Sequence, residues 1–206
     1  MKIGNFGRLD PRLREKGISG LSHGSKMESD VWDEFHGNWE KLIYESEQLI
    51  AKLSGKRVES ALDIDADNLP QGRERERVVR ERVNQEFFRK AILSSYDQKC
   101  CITGLDQTEL LIASHIVPWK QNAQERLNPQ NGLCLNALHD KAFDRGLITV
   151  STDYQVVLSS AIRRLEAGEA VKNFLVKFHG KEISTPEKFA PKKEFLQYHN
   201  NEIFKG

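Results

Sequence analysis

The sequence predicts an α+β protein: a helical N-terminal region, an acidic linker, and a C-terminal part built from strand, loop, strand and helix with an added β-hairpin. Three observations carry this. Apolar residues recur at three- and four-residue steps over Lys26 to Leu53 and again over Arg73 to Tyr96, the helical period. Between those stretches, Ser54 to Gly72 is rich in Ser, Gly and Asp with Pro70 near its end, the composition of a linker. From Leu110 onward, short apolar runs are punctuated by turn signals such as Asn131-Gly132. The expected division is 1–69, helical region with linker, and 70–206, with its most informative core at 100–150.

Composition narrows the function classes. The chain has 206 residues, 31 Lys+Arg against 30 Asp+Glu and a formal charge of +1, so no global charge marks a nucleic-acid or membrane surface binder. At 38% hydrophobic residues it can still build a core. No apolar run reaches the roughly 18 residues of a membrane span, and Met1 to Asn5 lacks the apolar stretch of a signal peptide, so a cytoplasmic protein is expected. Cys100, Cys101 and Cys134 do not make a disulfide framework and lack the spacing of a zinc site; they read as reduced, buried thiols.

The first helix is expected over Lys26 to Leu53, capped by Ser25 or Ser29, with Trp32, Phe35, Trp39, Leu42, Ile43, Leu49, Ile50 and Leu53 on its apolar side. Those aromatics need cover, from the rest of the chain or from a second copy, and core packing is the plainer reading. In the linker, Asp63, Asp65 and Asp67 resemble the start of a calcium loop but lack its glycine and distal glutamate. Gly20-Leu21-Ser22-His23-Gly24 fits the nucleophile-elbow string of serine hydrolases, but no strand precedes it. The second helix, Arg73 to Tyr96, is dense in arginine. Pro70 to Lys99 holds eight basic and five acidic residues, whereas Met1 to Leu69 holds ten and thirteen. Its arginines could lie along a phosphate backbone, or pair with Glu74, Glu76, Glu81 and Glu86 as a solvated salt-bridged face.

The chemistry concentrates in Cys100 to Thr149. Leu110-Leu111-Ile112-Ala113-Ser114-His115 reads as an apolar strand ending on a histidine. After a polar loop, Leu133 to Leu135 reads as a second short strand, and Asn136 as the cap of a helix starting near Ala137 that stops at Asp144-Arg145-Gly146. A hairpin folded on that helix could bring His115, Asn131 and His139 to one face. Leu147 to Val150 and Tyr154 to Ser159 predict the further hairpin. Beyond it, Phe174 to Phe178 predicts a short strand or helix and Phe195 to His199 a last segment. His179 and His199 have no metal-ligand spacing and read as structural or exposed.

Ser114-His115-Ile116-Val117-Pro118-Trp119, Asn128-Pro129-Gln130-Asn131-Gly132-Leu133 and Leu138-His139-Asp140-Lys141-Ala142-Phe143-Asp144-Arg145-Gly146 together resemble the three blocks of the HNH endonucleases, most closely bacterial restriction-type members. The resemblance extends from about Arg73 to Ser160. It implies a ββα-metal fold and a metal-dependent DNA endonuclease acting in restriction or phage defence, leaving 5′-phosphate and 3′-hydroxyl ends. In chemical terms, His115 is the candidate general base, since an imidazole titrates near pH ~6.5. His139 is the candidate ligand of a divalent cation that stabilises charge on the phosphate and leaving oxygen. In the family the asparagine steadies the loop that bears the general base or, in some members, ligates the metal, and the resemblance implies that Asn131 inherits that role by position.

One departure matters. Many members carry an aspartate or histidine immediately before the general base as a second ligand, and here that residue is Ser114. Asp144 is the first candidate replacement and Asp140 the second. On a continuous helix, Asp144 points about 140° away from His139, so it joins His139 only if the helix ends near Phe143. Mg²⁺ or Mn²⁺ suits such a site, with Zn²⁺ or Ni²⁺ as alternatives. Lys120, Lys141 and Arg145 flank it as candidate phosphate contacts, and Arg80 and Arg89 of the basic helix are candidate DNA contacts. Trp119 reads as packing under the loop. A rival reading is a non-catalytic DNA-binding or assembly module that retains the fold, and a homodimer through the Trp-rich helix is a further expectation.

Overall fold

The computed structural model describes residues 3–20, 24–61, 69–164 and 168–206. Ser22 and the aspartates at 63, 65 and 67 lie outside them. The chain divides into two compact units, Met1–Asn84 and Gln85–Gly206. The division falls inside a helix, α5 (Arg73–Ser95).

In the first unit, a 3-10 helix (Ile3–Arg8) leads into α1 (Pro11–Glu15), α2 (Lys26–Phe35), α3 (Trp39–Leu53) and α4 (Val58–Ala61), followed by the start of α5. The single helix expected over Lys26 to Leu53 is therefore two. Gly37 adopts φ of 80°, which a side chain resists, and Asn38 accepts a hydrogen bond from the Lys41 amide to begin α3 afresh. Ser25 caps α2 with a reciprocal capping box to Glu28. Ile43 and Ala51 of α3 are buried, and Tyr44 lies under the Arg80 guanidinium at 4.7 Å. Core packing does not extend to the rest of α3, where Trp39, Leu49, Ile50 and Leu53 are exposed.

In the second unit, β1 (Leu111–His115) pairs antiparallel with β2 (Gly132–Asn136), and α6 (Ala137–Asp144) follows directly. β3 (Ile148–Val150) and β4 (Val156–Leu158) form a second antiparallel pair. α7 (Ser160–Arg164), α8 (Glu169–Phe174), a 3-10 turn (Val176–Phe178) and α9 (Lys193–Glu202) complete the unit. This mixture of helices and small antiparallel strands is the α+β class the sequence predicts. Phe88, Ile92, Leu111, Leu133, Leu135, Phe143 and Leu196 are fully or almost fully buried, as are all three cysteines, which are unpaired.

Two glycines let this unit close. A Cβ on Gly132 would collide with the side chains of Ile92 and Phe88, so the bare residue lets α5 lie against the start of β2. Gly146, at φ of 68°, ends α6: its amide donates to the Phe143 carbonyl and the Leu147 amide to the Ala142 carbonyl, both at 2.8 Å, the Schellman arrangement. A Cβ there would run into the Ile203 carbonyl, and the Lys205 amide donates to the Gly146 carbonyl at 3.0 Å, which fastens the C-terminus to the end of α6.

Candidate active site

His115 ends β1 opposite Gly132. Its Nε2–H donates to the Arg126 carbonyl at 2.9 Å; a carbonyl can only accept, so the proton sits on Nε2 and Nδ1 carries the lone pair. Phe88 stacks on the ring with centroids 3.7 Å apart, and Trp119 meets it edge-on at 5.3 Å. Burial pushes the imidazole below its usual range, outweighing the hydrogen bond to Arg126, so His115 is neutral at physiological pH. The Trp119 ring in turn lies 5.1 Å from the Arg126 guanidinium. Trp119 packs in the loop, as expected.

The loop that supplies the Arg126 carbonyl is held by Asn131, which is completely buried. Its Oδ1 accepts from the Val117 amide at 2.8 Å, and its Nδ2 donates to the Val117 and Glu125 carbonyls at 3.2 and 3.4 Å. One carboxamide thus ties the outgoing and incoming ends of the loop between β1 and β2.

His115 and Ser114 line a cavity of about 350 Å³ together with Pro118, Asp140, Asp144 and His199. The two aspartates share a face because they stand four residues apart on α6, only about 40° around the helix. Asp140 is half-buried and its carboxyl is pushed up, by burial first and by the neighbouring Asp144 charge in addition. Ser114 Oγ is buried without a hydrogen bond of ordinary geometry, yet lies near enough to Asp140 to oppose that rise. Two neighbouring carboxyl groups beside the buried Ser114 hydroxyl form an oxygen-rich corner suited to a cation. Among the described residues, no three His, Cys, Asp or Glu side chains cluster closely enough to hold an ion alone.

His139 does not line this cavity. α6 remains helical through Asp144, so His139 stays about 140° from that residue. Both of its ring nitrogens are engaged: Nδ1 accepts from Asn136 Nδ2 at 2.8 Å, and Nε2–H donates to the Phe174 carbonyl at 2.8 Å. The same Asn136 caps α6 through Oδ1 and the His139 amide at 2.9 Å. His139 is buried, edge-on to Phe178. The sequence grouped it with His115 and Asp144; the structure brings His115 and Asp144 to one cavity and turns His139 into the interior.

The basic residues also divide. Lys120, Lys141 and Arg145 are exposed, Lys141 close enough to Asp140 to act on its charge. Arg89 is committed to the protein, donating to the Leu111 carbonyl at 2.7 Å and the Thr108 carbonyl at 3.1 Å at the start of β1. Arg80 pairs with Glu76 at 3.2 Å, and Arg77 with Glu74 at 2.6 Å, so this helix carries the salt-bridged face that its glutamates allowed.

His199, read from the sequence as structural or exposed, is the former. It is buried, stacks on Phe143 at 3.6 Å, and its Nε2–H donates to the Phe143 carbonyl at 3.2 Å in the last turn of α6. Nδ1 must then accept from the Thr149 hydroxyl, 2.8 Å away. The Asn200 side chain, 2.6 Å from the same hydroxyl, must present its amide N–H to it, since the hydroxyl has one proton to give. His115, Asp144 and Asp140 were candidates in the sequence for this cavity; that His199 joins them from a distant helix had no sequence signal.

Residues 100–151 match the model of the HNH endonuclease family, about a quarter of the chain. No curated protein matches the chain. A solved modification dependent TagI restriction endonuclease is similar at 16% identity over 55% of this chain, with a TM-score of 0.38. The chain spans about a third of that protein, 36% of its length, and a likeness this low carries no conclusion about substrate. No described helix is long and apolar enough to cross a membrane.

Proposed function

We propose that the protein is a metal-dependent DNA endonuclease with a ββα-metal site, in which His115 activates water and Asp140 with Asp144 holds the divalent cation. The observation that carries the reading is the His115 imidazole: its tautomer is fixed by the Arg126 carbonyl, and it lines the same cavity as the paired aspartates.

The steps follow from that geometry. His115 Nδ1, unprotonated, accepts a proton from water as the water attacks the phosphorus. Phe88 and Trp119 keep the ring in place and partly dry, and Asn131 keeps the loop whose carbonyl holds Nε2. A divalent cation bound here supplies Lewis-acid stabilisation of the charge on the phosphate and the leaving 3′ oxygen. Asp140 and Asp144 would hold it, and carboxylate oxygens as the protein donors suit Mg²⁺ or Mn²⁺. In this reading Asp140 replaces His139 as ligand beside Asp144, and His139 supports α6 from within. Lys120, Lys141 and Arg145 neutralise flanking phosphates. Restriction or phage defence is the fitting role.

Supercoiled plasmid incubated with the protein and Mg²⁺ or Mn²⁺ tests this. Nicking that disappears in His115→Ala supports it. No cleavage with any of Mg²⁺, Mn²⁺, Zn²⁺ or Ni²⁺ favours the non-catalytic DNA-binding module instead, and cleavage unchanged by His115→Ala removes the proposed base.

A further inference from the structure

The outer face of α3 is left bare in a way the first unit does not explain. Ile43, Tyr44 and Ala51 face inward, toward α5 in the case of Tyr44 under Arg80. Roughly 140° around the same helix runs a second apolar stripe, Trp39, Leu42, Ser46, Leu49 and Leu53. Trp39 is 59% exposed, Leu49 58% and Leu53 79%, and Ile50 beside them 54%. Phe35, at the end of α2, joins Leu42 and Leu49 to form a shallow cleft along the stripe, whose flanks carry Glu45 and Lys52. Exposed large side chains at alternating steps of three and four are the seam of a helix pair, with Trp39, Ser46 and Leu53 at one repeat position and Leu42 and Leu49 at the other.

We infer that α3 pairs antiparallel with α3 of a second copy of this chain, making the protein a two-fold homodimer. The register and the charges select that occupant. Antiparallel pairing about a two-fold axis sets Leu42 against Leu53 of the other copy and Ser46 against Leu49, so that each large residue fills its layer and the small serine sits near the centre. The flanking positions then place Glu45 of each copy beside Lys52 of the other, giving two complementary ion pairs. A parallel pairing would set Glu45 against Ile50 and gain neither. Among the described residues, Lys52 makes no salt bridge and Glu45 has only a long one, 3.9 Å from Lys41. The seam is two heptads, about 22 Å long, which is short, so the dimer forms in a concentration-dependent equilibrium. This inference stands on α3 alone and does not depend on the nuclease reading; two copies would nonetheless supply two cleavage sites for the two strands of a duplex.

Sedimentation velocity of the full chain, from micromolar to near-millimolar concentration, tests it. A shift from monomer to dimer is expected, lost in Leu49→Glu/Leu53→Glu. Glu45→Lys, at an exposed position that leaves the fold intact by circular dichroism, should weaken the dimer, and Glu45→Lys with Lys52→Glu should restore it. A monomer at every concentration overturns the inference and leaves the stripe to another part of the chain or another protein. A dimer that survives Leu49→Glu/Leu53→Glu, or that the single reversal leaves as strong as before, overturns this face and this register.

Discussion

His115 and His139 differ in what their nitrogens are free to do. Both are imidazoles in the matched segment, and by residue type alone they are equivalent. The first keeps Nδ1 free of hydrogen bonds to the described residues and lines a cavity; the second has both nitrogens engaged and is buried. His115→Ala should therefore lower plasmid cleavage by about 10²–10⁴-fold, the usual weight of a general base, in a protein that still folds by circular dichroism. His139→Ala should act through the fold, since it strands the Phe174 carbonyl and Asn136 amide and leaves a void. Urea unfolding should show a loss of about 2–5 kcal/mol. The block pattern made both histidines visible in the sequence. What it did not carry is ring orientation, which Asn136 and the Phe174 carbonyl decide, the latter 35 residues downstream.

α6 is where local signals were most complete. Asn136 as cap, Ala137 as the first residue and the stop at Asp144-Arg145-Gly146 are all found, because capping and glycine termination are short-range chemistry. The hairpin of β3 and β4 was legible for the same reason. The helix α2–α3 was not, because its apolar period runs straight across His36-Gly37-Asn38; the stop-and-cap pair there is the signal that outranks periodicity. Gly132 likewise gives no sign in the sequence of the helix packed against it. Gly132→Ala should cost about 1–3 kcal/mol by overpacking against Phe88 and Ile92, and because Phe88 stacks on His115 it should lower activity as well. The C-terminal turn of α6 also depends on pH. Burial pushes His199 down to about 4, against the opposing hydrogen bond to Phe143, while an unfolded histidine titrates near ~6.5. The unfolded chain thus takes up a proton that the folded chain refuses. Stability is full above pH ~6.5 and falls as pH drops toward 4, by about 3 kcal/mol in all. Thermal melts across that range check this, and His199→Gln should flatten the slope.

For the whole molecule, a formal charge of +1 means that any DNA affinity comes from a few local cations and not from a general field. Replacing Lys141 and Arg145 by Ala should weaken duplex binding about equally for all sequences and reduce its salt dependence by roughly two phosphate contacts, measurable by titration at several salt concentrations. The proposed reaction lies in a cavity lined by His115 from β1, Asp140 and Asp144 from α6 and His199 from α9, and the proposal moves the cation from His139 to Asp140. Titration of Mn²⁺ into the protein, followed by the loss of the free-ion paramagnetic signal, tests it most directly. Binding that is lost in Asp140→Asn/Asp144→Asn and retained in a folded His139→Gln is the predicted result. Binding that survives the double replacement but vanishes with His139→Gln would contradict it.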